Sequence, residues 1–196
     1  MKLVFASNNK HKLEEAKIIS NGKFEILSLN DINLHEEIPE DYDNLSENAL
    51  QKANYIYDRY HINCFADDTG LSIEALNGEP GVFSARYAGN NCSYEDNMNK
   101  VLEKMKGIDN RKASFSTIIA LILNGEKYLF EGKIEGEIAL APRGSNGFGY
   151  DPIFVPKNYS KSFAELSDVE KNSMSHRYLA LQQLFIFLES IKNNKL

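Results

Sequence analysis

The chain has 196 residues, of which 42% are hydrophobic and 26% charged, and its formal net charge is -6. This size and composition are typical of one globular α/β domain, so we expect a single domain over residues 1–196. The acidic balance argues against a protein that coats a nucleic-acid polymer, because such binding depends on clustered Lys and Arg. An anionic small molecule is compatible with it, since that ligand needs only a few placed cations or a metal.

Cysteine spacing and hydropathy indicate the cellular compartment of the protein. Cys64 and Cys92 lack the Cys-x-x-Cys spacing of a zinc ribbon and are too few for a disulfide framework. The first apolar run is too short for a signal peptide, and no run approaches the roughly 20 residues of a membrane span. We therefore expect a cytoplasmic protein with no membrane partner.

Hydrophobic periodicity, cap residues and turn residues predict alternating strands and helices. In chain order these are a strand over residues 3–6, a helix over 13–19, a strand over 24–29, a helix over 45–60, a strand that begins after residue 63 and ends at Asp67-Asp68, a short strand over 71–76, a helix over 93–106, strands over 113–123, 127–138 and 153–155, and a helix from 175 onward. Asn124-Gly125 is a strong hairpin signal between two of these strands. The fold class is therefore α/β with a mixed central sheet flanked by helices.

The polar turn at residues 7–12 lies where the first strand gives way to a helix. A helix N-terminus in this position offers free N–H groups to an anion. Ser7 and Asn9 could equally be plain helix caps, with Lys10 and Lys12 exposed to solvent. The turn is not a Walker loop, because the chain has no Gly-x-x-x-x-Gly-Lys-Ser/Thr.

Carboxylates concentrate in two places. The loop at residues 30–44 is acidic, and one of its side chains could complete a metal site, although such loops are usually just solvated. Asp67 and Asp68 follow an apolar strand and precede Thr69-Gly70. Adjacent side chains of a strand point to opposite faces, so at most one of the two carboxylates faces a given pocket. The alternative is a surface turn.

Two later segments carry further polar chemistry. The glycine-rich loop at residues 143–152 contains Phe148 and Tyr150, whose rings could stack on a flat ligand or could simply fill the core. Lys171 and His176-Arg177 lie near the start of the last helix, where positive charge is unfavourable. An anion or a carboxylate between them would explain that arrangement, and the alternative is ordinary exposed charge.

Six segments in this order resemble the inosine and xanthosine triphosphate pyrophosphatase family, and the resemblance spans nearly the whole chain. They are Ser7-Asn8-Asn9-Lys10-His11-Lys12, Glu40 with Glu47-Asn48-Ala49, Asp67-Asp68-Thr69-Gly70-Leu71, Pro80-Gly81 with Ser84-Ala85-Arg86-Tyr87, Phe148-Gly149-Tyr150-Asp151-Pro152, and Ser175-His176-Arg177. The resemblance implies two lobes with an active-site cleft between them, a homodimer, and Mg²⁺-dependent hydrolysis of ITP, dITP or XTP to the monophosphate and pyrophosphate.

The resemblance also implies a role for particular residues. Asp68 would activate the water and help to hold Mg²⁺, with Glu40 as the second metal carboxylate and Asp67 as a brace. The triphosphate would be bound by Ser7, Asn8, Asn9, Lys10, His11, Lys12, Lys52, Arg86 and Lys171. Thr69 would contact the substrate, and the base would be bound by Phe148, Gly149, Tyr150, Asp151, His176 and Arg177.

Two departures from the family pattern are visible. Glu40 is followed by Asp41-Tyr42 where Thr-Gly is common, which makes Glu37 the fallback metal ligand, and Ser7 stands where Thr is frequent. Two rival hypotheses are a nucleotide sensor that has kept the pocket and lost the chemistry, and a general metal phosphohydrolase that also acts on monophosphates.

Overall fold

The structure is a computed structural model that describes residues 1–193. Its strands are β1 (Lys2–Phe5), β2 (Glu25–Leu27), β3 (Cys64–Ile73), β4 (Pro80–Gly81), β5 (Lys112–Leu123), β6 (Glu126–Ile138) and β7 (Phe154–Pro156). Its helices are α1 (Lys10–Ser20), α2 (Leu45–Tyr60), α3 (Tyr94–Lys104), α4 (Asp168–Lys171) and α5 (His176–Asn193). None of the helices in this part of the chain is long and apolar enough to cross a membrane.

The strands form a mixed sheet in the order β2-β1-β3-β5-β6-β7, and β4 pairs with β3. β1 runs parallel to both β2 and β3, whereas β3 and β4, and also β6 and β7, are antiparallel. Asn124 and Gly125 both have positive φ, which is the geometry of a two-residue type I′ hairpin turn. The predicted α/β class with a mixed sheet and the hairpin position are therefore confirmed.

The chain divides into two compact units, and three strands contribute residues to both. The first unit comprises residues 1–68, 117–132 and 177–193 of the described chain. Its two cores lie on opposite faces of β1, because successive side chains of a strand alternate. Leu3 and Phe5 pack with α1 and α5, whereas Val4 packs with α2. Helices thus cover both faces of this part of the sheet.

The second unit comprises residues 69–116 and 133–176. Its core is rich in aromatic rings that contact one another at centroid distances of 4.7–6.5 Å. Phe115 of β5 lies among them and is in ring contact with Tyr150, Phe154 and Phe163. These contacts are tilted, edge-on and stacked, and their preferred geometries limit how the rings can be placed.

One predicted boundary is wrong. The sequence predicts that a strand ends at Asp67-Asp68 and that another begins at residue 71, because Asp, Thr and Gly are turn residues. β3 instead continues unbroken through Asp67, Asp68 and Gly70. Its register with β1 ends with Phe5 opposite Phe65, so the two aspartates lie beyond the carboxyl end of that neighbour. They occupy the middle of a strand rather than its end.

The other helix boundaries follow from cap chemistry. α1 begins at Lys10, earlier than predicted, because the Asn9 side chain accepts hydrogen bonds from the N–H groups of His11 and Lys12. α2 spans residues 45–60 as predicted, and its cap is Asn44, whose side chain accepts a hydrogen bond from the Glu47 N–H. α3 begins after a Ser93–Asp96 capping box. The short helix α4 was not predicted, since four residues give no readable periodicity.

We predict that Gly136→Ala destabilises the protein by about 1–3 kcal/mol, the usual effect of overpacking. A Cβ at this position of β6 would come within 2.3 Å of the Val155 carbonyl oxygen and 2.7 Å of the Phe154 ring. Urea unfolding followed by circular dichroism measures the change. Lys133→Ala on the same strand is exposed and is the control. Equal midpoints for Gly136→Ala and the wild type would contradict the packing described.

Candidate functional site

Asp67 is the centre of a buried ionic network in the first unit. Its side chain is 1% exposed, and its two oxygens contact Lys12 Nζ at 3.0 Å and Arg177 Nε at 3.2 Å. Burial alone would raise the pKa of Asp67, but the charges of Lys12, Arg177 and Lys52 outweigh it and hold that pKa well below its usual range. Asp67 is therefore an ionised carboxylate that joins α1, β3 and α5.

Arg177 has a second carboxylate partner. Its guanidinium Nη1 forms an ion pair with Glu15 of α1, and both side chains are buried. Burial opposes the charge of Arg177, but Glu15 and Asp67 overcome it and raise the pKa. An arginine that is buried between two carboxylates keeps its charge and has a fixed orientation. The structure thus places Arg177, a predicted base-binding residue, in this network.

Asp68 faces a different helix. Its oxygens lie 3.5 Å from Lys52 Nζ and 3.2 Å from Asn48 Nδ2, and both of these residues belong to α2. Asn48 and Lys52 are one helical turn apart, so they project from the same face of α2. Asp67 contacts α1 and α5 instead, as the alternation of side chains along a strand requires.

The protonation behaviour of Asp68 differs from that of its neighbour. Burial raises the pKa of Asp68, and the nearby charge of Glu40 raises it further against the opposing effect of Lys52. The lysine itself is 6% exposed, yet Asp68 and Glu40 outweigh its desolvation and raise the pKa of the ammonium group. A buried carboxylate with a raised pKa beside a charged lysine is a favourable arrangement for a group that accepts a proton.

Lys52 connects Asp68 to the acidic loop. Its ammonium donates a short hydrogen bond to Glu40 while it faces Asp68. Asn48 fixes the same loop, because its amide donates to the Tyr42 carbonyl oxygen and accepts from the Tyr42 N–H. Glu40 is therefore the residue of the acidic loop that the structure brings to Asp68. Glu36, by contrast, forms an ion pair with Arg59.

The polar turn at residues 7–12 has an inner and an outer side. Ser7, Asn9 and Lys12 are half-buried, whereas Asn8, Lys10 and His11 are exposed. Ser7 Oγ accepts a hydrogen bond from the Asn9 N–H, and Asn9 caps α1. Lys12 bonds Asp67, and burial lowers the pKa of Lys12 despite that partner. The structure therefore brings Lys12 into the ionic network.

The second unit holds the glycine-rich loop. Asp151 Oδ2 accepts hydrogen bonds of 2.8 Å from the Phe148 N–H and from Lys171 Nζ. The Lys171 ammonium also lies over the Phe148 ring, 4.8 Å from its centroid. Gly147 makes this possible, because its φ is +73° and a Cβ there would come within 2.1 Å of Asp151 Oδ2. Lys171, a predicted phosphate ligand, is thus a buried partner of the predicted base-binding residues.

The two aromatic side chains of this loop have different positions. Tyr150 is 5% exposed and donates a hydrogen bond of 2.8 Å to the Ser84 carbonyl oxygen, so its ring belongs to the core. Phe148 is half-buried, which leaves part of its ring accessible to a ligand. Of the two rings considered in the sequence analysis, Phe148 is the one available for stacking on a ligand.

Three further predicted residues lie in the second unit. His176 is buried and stacks on Phe115, with ring centroids 4.6 Å apart and planes 13° apart. Thr69 is half-buried in β3. The Arg86 guanidinium lies 5.4 Å from the centroid of the Phe83 ring. Of these three residues, His176 has the plane of its imidazole ring fixed by stacking on Phe115.

Glu15, Asn48 and Phe115 had no assigned role in the sequence analysis. Glu15 belongs to an ordinary helical pattern, and its partner Arg177 is 162 positions away along the chain. Phe115 is one of several apolar residues of a strand, and nothing in its local sequence indicates a contact with His176. Asn48 could have been found, because helical spacing places it one turn before Lys52.

The structure therefore defines an α/β protein with a buried lysine–carboxylate cluster in one unit and a glycine-rich aromatic loop in the other. The profile of the Ham1 family matches residues 3–187. The chain belongs to the Ham1 family. This finding confirms the resemblance inferred from the six sequence segments.

Curated relatives and solved structures agree with this assignment. A dITP/XTP pyrophosphatase of Flavobacterium johnsoniae is 52% identical over 192 residues, which cover 98% of this chain and 100% of that protein. One of Porphyromonas gingivalis is 53% identical over 188 residues, covering 95% and 97%. The Ham1 protein structures of Staphylococcus aureus and Coxiella burnetii have TM-scores of 0.88 and 0.89, at 38% and 40% identity, and each comparison covers 97% of this chain and 99% of that one.

We predict that substituting Asp67 destabilises the protein, whereas substituting its neighbour Asp68 does not. Asp67→Asn leaves Lys12 and Arg177 without their shared carboxylate and is expected to lower the free energy of unfolding by about 3–5 kcal/mol. The raised pKa of Asp68 means that its charged form is disfavoured in the folded protein. Asp68→Asn removes this charge, so the variant is expected to unfold at an unchanged or higher urea concentration at pH 7.

The pH dependence follows from the direction of the Asp67 shift. The folded-state pKa of Asp67 is below the ordinary value of 3.8. Asp67 therefore contributes its full share to the free energy of unfolding above pH 3.8, and this contribution is lost as the pH falls towards the folded-state pKa. The gap in stability between the wild type and Asp67→Asn should therefore narrow below about pH 4. Urea unfolding at several pH values, with metal removed by EDTA, measures this gap. Equal stability of the wild type and Asp67→Asn at pH 7 would refute the assignment of Asp67 as a buried ionised carboxylate.

Proposed function

We propose that the protein hydrolyses deaminated purine nucleoside triphosphates, namely ITP, dITP and XTP, to the monophosphate and pyrophosphate. The observation that carries this proposal is the buried Asp68, with a raised pKa, beside Lys52 and Glu40. The names of the close relatives, dITP/XTP pyrophosphatase, support the same reaction. The activity would remove deaminated purines from the nucleotide pool.

The first unit carries groups suited to a triphosphate. Lys12 and Lys52 supply positive charge, and burial strengthens their interaction with an anion because water does not screen them. Ser7 and Asn9 stand at the start of α1, where the helix dipole favours phosphate oxygens. These cations would offset the charge that builds on the phosphate oxygens during the reaction.

Asp68 would take the proton of the attacking water. A general base is most effective when its pKa lies near the working pH, and burial moves Asp68 in that direction. Asn48 holds one oxygen of the carboxylate at 3.2 Å and so fixes its orientation. Asp67 is bonded to Lys12 and Arg177 and serves to hold Lys12 in place.

We further propose Mg²⁺ as the cofactor. Within residues 1–193, no three His, Cys, Asp or Glu side chains form a group that could hold a metal by themselves. Glu40 and Asp68 still fit Mg²⁺, which is commonly bound through one or two carboxylates, waters and substrate phosphates. Both contact the Lys52 ammonium, so this position already favours a cation. When bound, the metal would neutralise phosphate charge there.

The second unit carries groups suited to the base. The accessible part of the Phe148 ring can stack on a purine, and the fixed imidazole of His176 can donate to the oxygen on carbon 6. A site that hydrogen-bonds this oxygen disfavours adenine, because adenine leaves the donor unpaired. Arg177 is expected to act in the same recognition, and we propose a homodimer located in the cytoplasm.

We predict that kcat/KM for ITP and XTP exceeds that for ATP by at least about a hundredfold, as expected when a buried donor is left unpaired. A panel of triphosphates assayed for pyrophosphate release with Mg²⁺ measures these ratios. Equal turnover of ATP and ITP would refute the specificity. Release of orthophosphate alone, or hydrolysis of monophosphates, would favour the general phosphohydrolase, and binding of ITP without turnover would favour the sensor.

We predict that Asp68→Asn lowers kcat for ITP by about 10²–10⁴-fold while the protein stays folded, since this is the usual contribution of a general base. The amide is close in shape to the carboxylate but cannot accept the proton. Asp43→Asn changes an exposed carboxylate of the acidic loop and is the matched control. If the kcat of Asp68→Asn is within a factor of three of the wild-type value, another residue must be the general base.

A further inference from the structure

Tyr94 is an exposed aromatic residue with a specific neighbour in the second unit. Its ring is in contact with that of Phe148, with centroids 6.0 Å apart and planes tilted by 44°. It nevertheless remains 46% exposed, which is unusual for a large ring that only fills a core. The ring therefore borders the same accessible surface as the half-buried Phe148.

The backbone of Tyr94 is held in place without help from its ring. It is the first residue of α3, directly after Ser93, and the Ser93–Asp96 capping box fixes this helix start. Met98 and Val101 anchor the same helix in the core. The Tyr94 side chain is thus not needed to form α3. Its ring contacts Phe148 at the surface of the protein.

A second neighbour of Phe148 is a cation. Lys171 lies over the Phe148 ring and is bonded to Asp151, so the charged group and the second ring both limit how the Phe148 ring can turn. Two tilted rings 6.0 Å apart leave no room for a base between them, because a stacked ring needs about 3.5 Å on each side. Together they form one wider aromatic surface.

We propose that Tyr94 is a further base-binding residue, whose ring extends the aromatic surface of Phe148 so that it contacts both rings of a purine. A pyrimidine has a single ring, which Phe148 alone can cover. Tyr94 would therefore favour purine over pyrimidine nucleotides. This inference rests on the proposed function, since it concerns the base of the same substrate.

The test compares Tyr94→Ala and Tyr94→Phe with Tyr159→Ala, which removes an equally exposed tyrosine of the same unit. Calorimetry measures the binding of IMP and UMP, and steady-state kinetics measure KM and kcat for ITP. We expect Tyr94→Ala to weaken IMP binding and raise the KM for ITP by about tenfold, the usual effect of losing a stacking partner. UMP binding and kcat should change by less than about threefold, whereas Tyr94→Phe and Tyr159→Ala should resemble the wild type.

Three results would overturn the inference. These are unchanged IMP binding in Tyr94→Ala, an equal loss of IMP and UMP binding, and a wild type that does not bind IMP. Failure of the proposed function is a separate result, because IMP binding is measured without turnover. A wild type that binds IMP through Tyr94 but hydrolyses no triphosphate would refute only the reaction.

Discussion

The contact of the Asp67 carboxylate with the cations of Lys12 and Arg177 is the interaction on which the first unit depends. Lys12 comes from α1 and Arg177 from α5, and both reach the same carboxylate on β3. Removing a buried carboxylate from between two cations lowers the stability of the protein, because each cation then loses its partner. The position of Lys12, and with it the start of α1, is therefore tied to the strand that also carries Asp68.

The two neighbouring aspartates illustrate how environment separates the roles of identical side chains. Strand alternation directs Asp67 towards α1 and α5 and Asp68 towards α2. Two cations hold the first in its ionised form, whereas burial beside Glu40 makes the second easier to protonate. The same backbone thus provides a carboxylate that stays ionised to low pH and one that exchanges a proton more readily.

Much of this arrangement could be predicted from the sequence, because local patterns determine it. The periodicity of α2 and the Asn124-Gly125 turn are local signals, and both were confirmed. The continuity of β3 through Thr69-Gly70 was missed, since residue preferences favour a turn there and tertiary pairing decides otherwise. The Glu15–Arg177 pair joins residues 162 positions apart, and a single sequence holds no record of which distant charges meet. The position of Lys171 over the Phe148 ring could not be predicted for the same reason.

The central claim is that Asp67 and Asp68 titrate in opposite directions from an ordinary aspartate. Carbon-13 NMR of the metal-free protein labelled at the aspartate carboxyl carbons, with assignments from Asp67→Asn and Asp68→Asn, measures both pKa values directly. The account predicts that the Asp68 signal titrates above the ordinary value of 3.8 and that the Asp67 signal stays that of an ionised carboxylate to a pH well below it. Titration of Asp67 at or above the pH at which Asp68 titrates would contradict it.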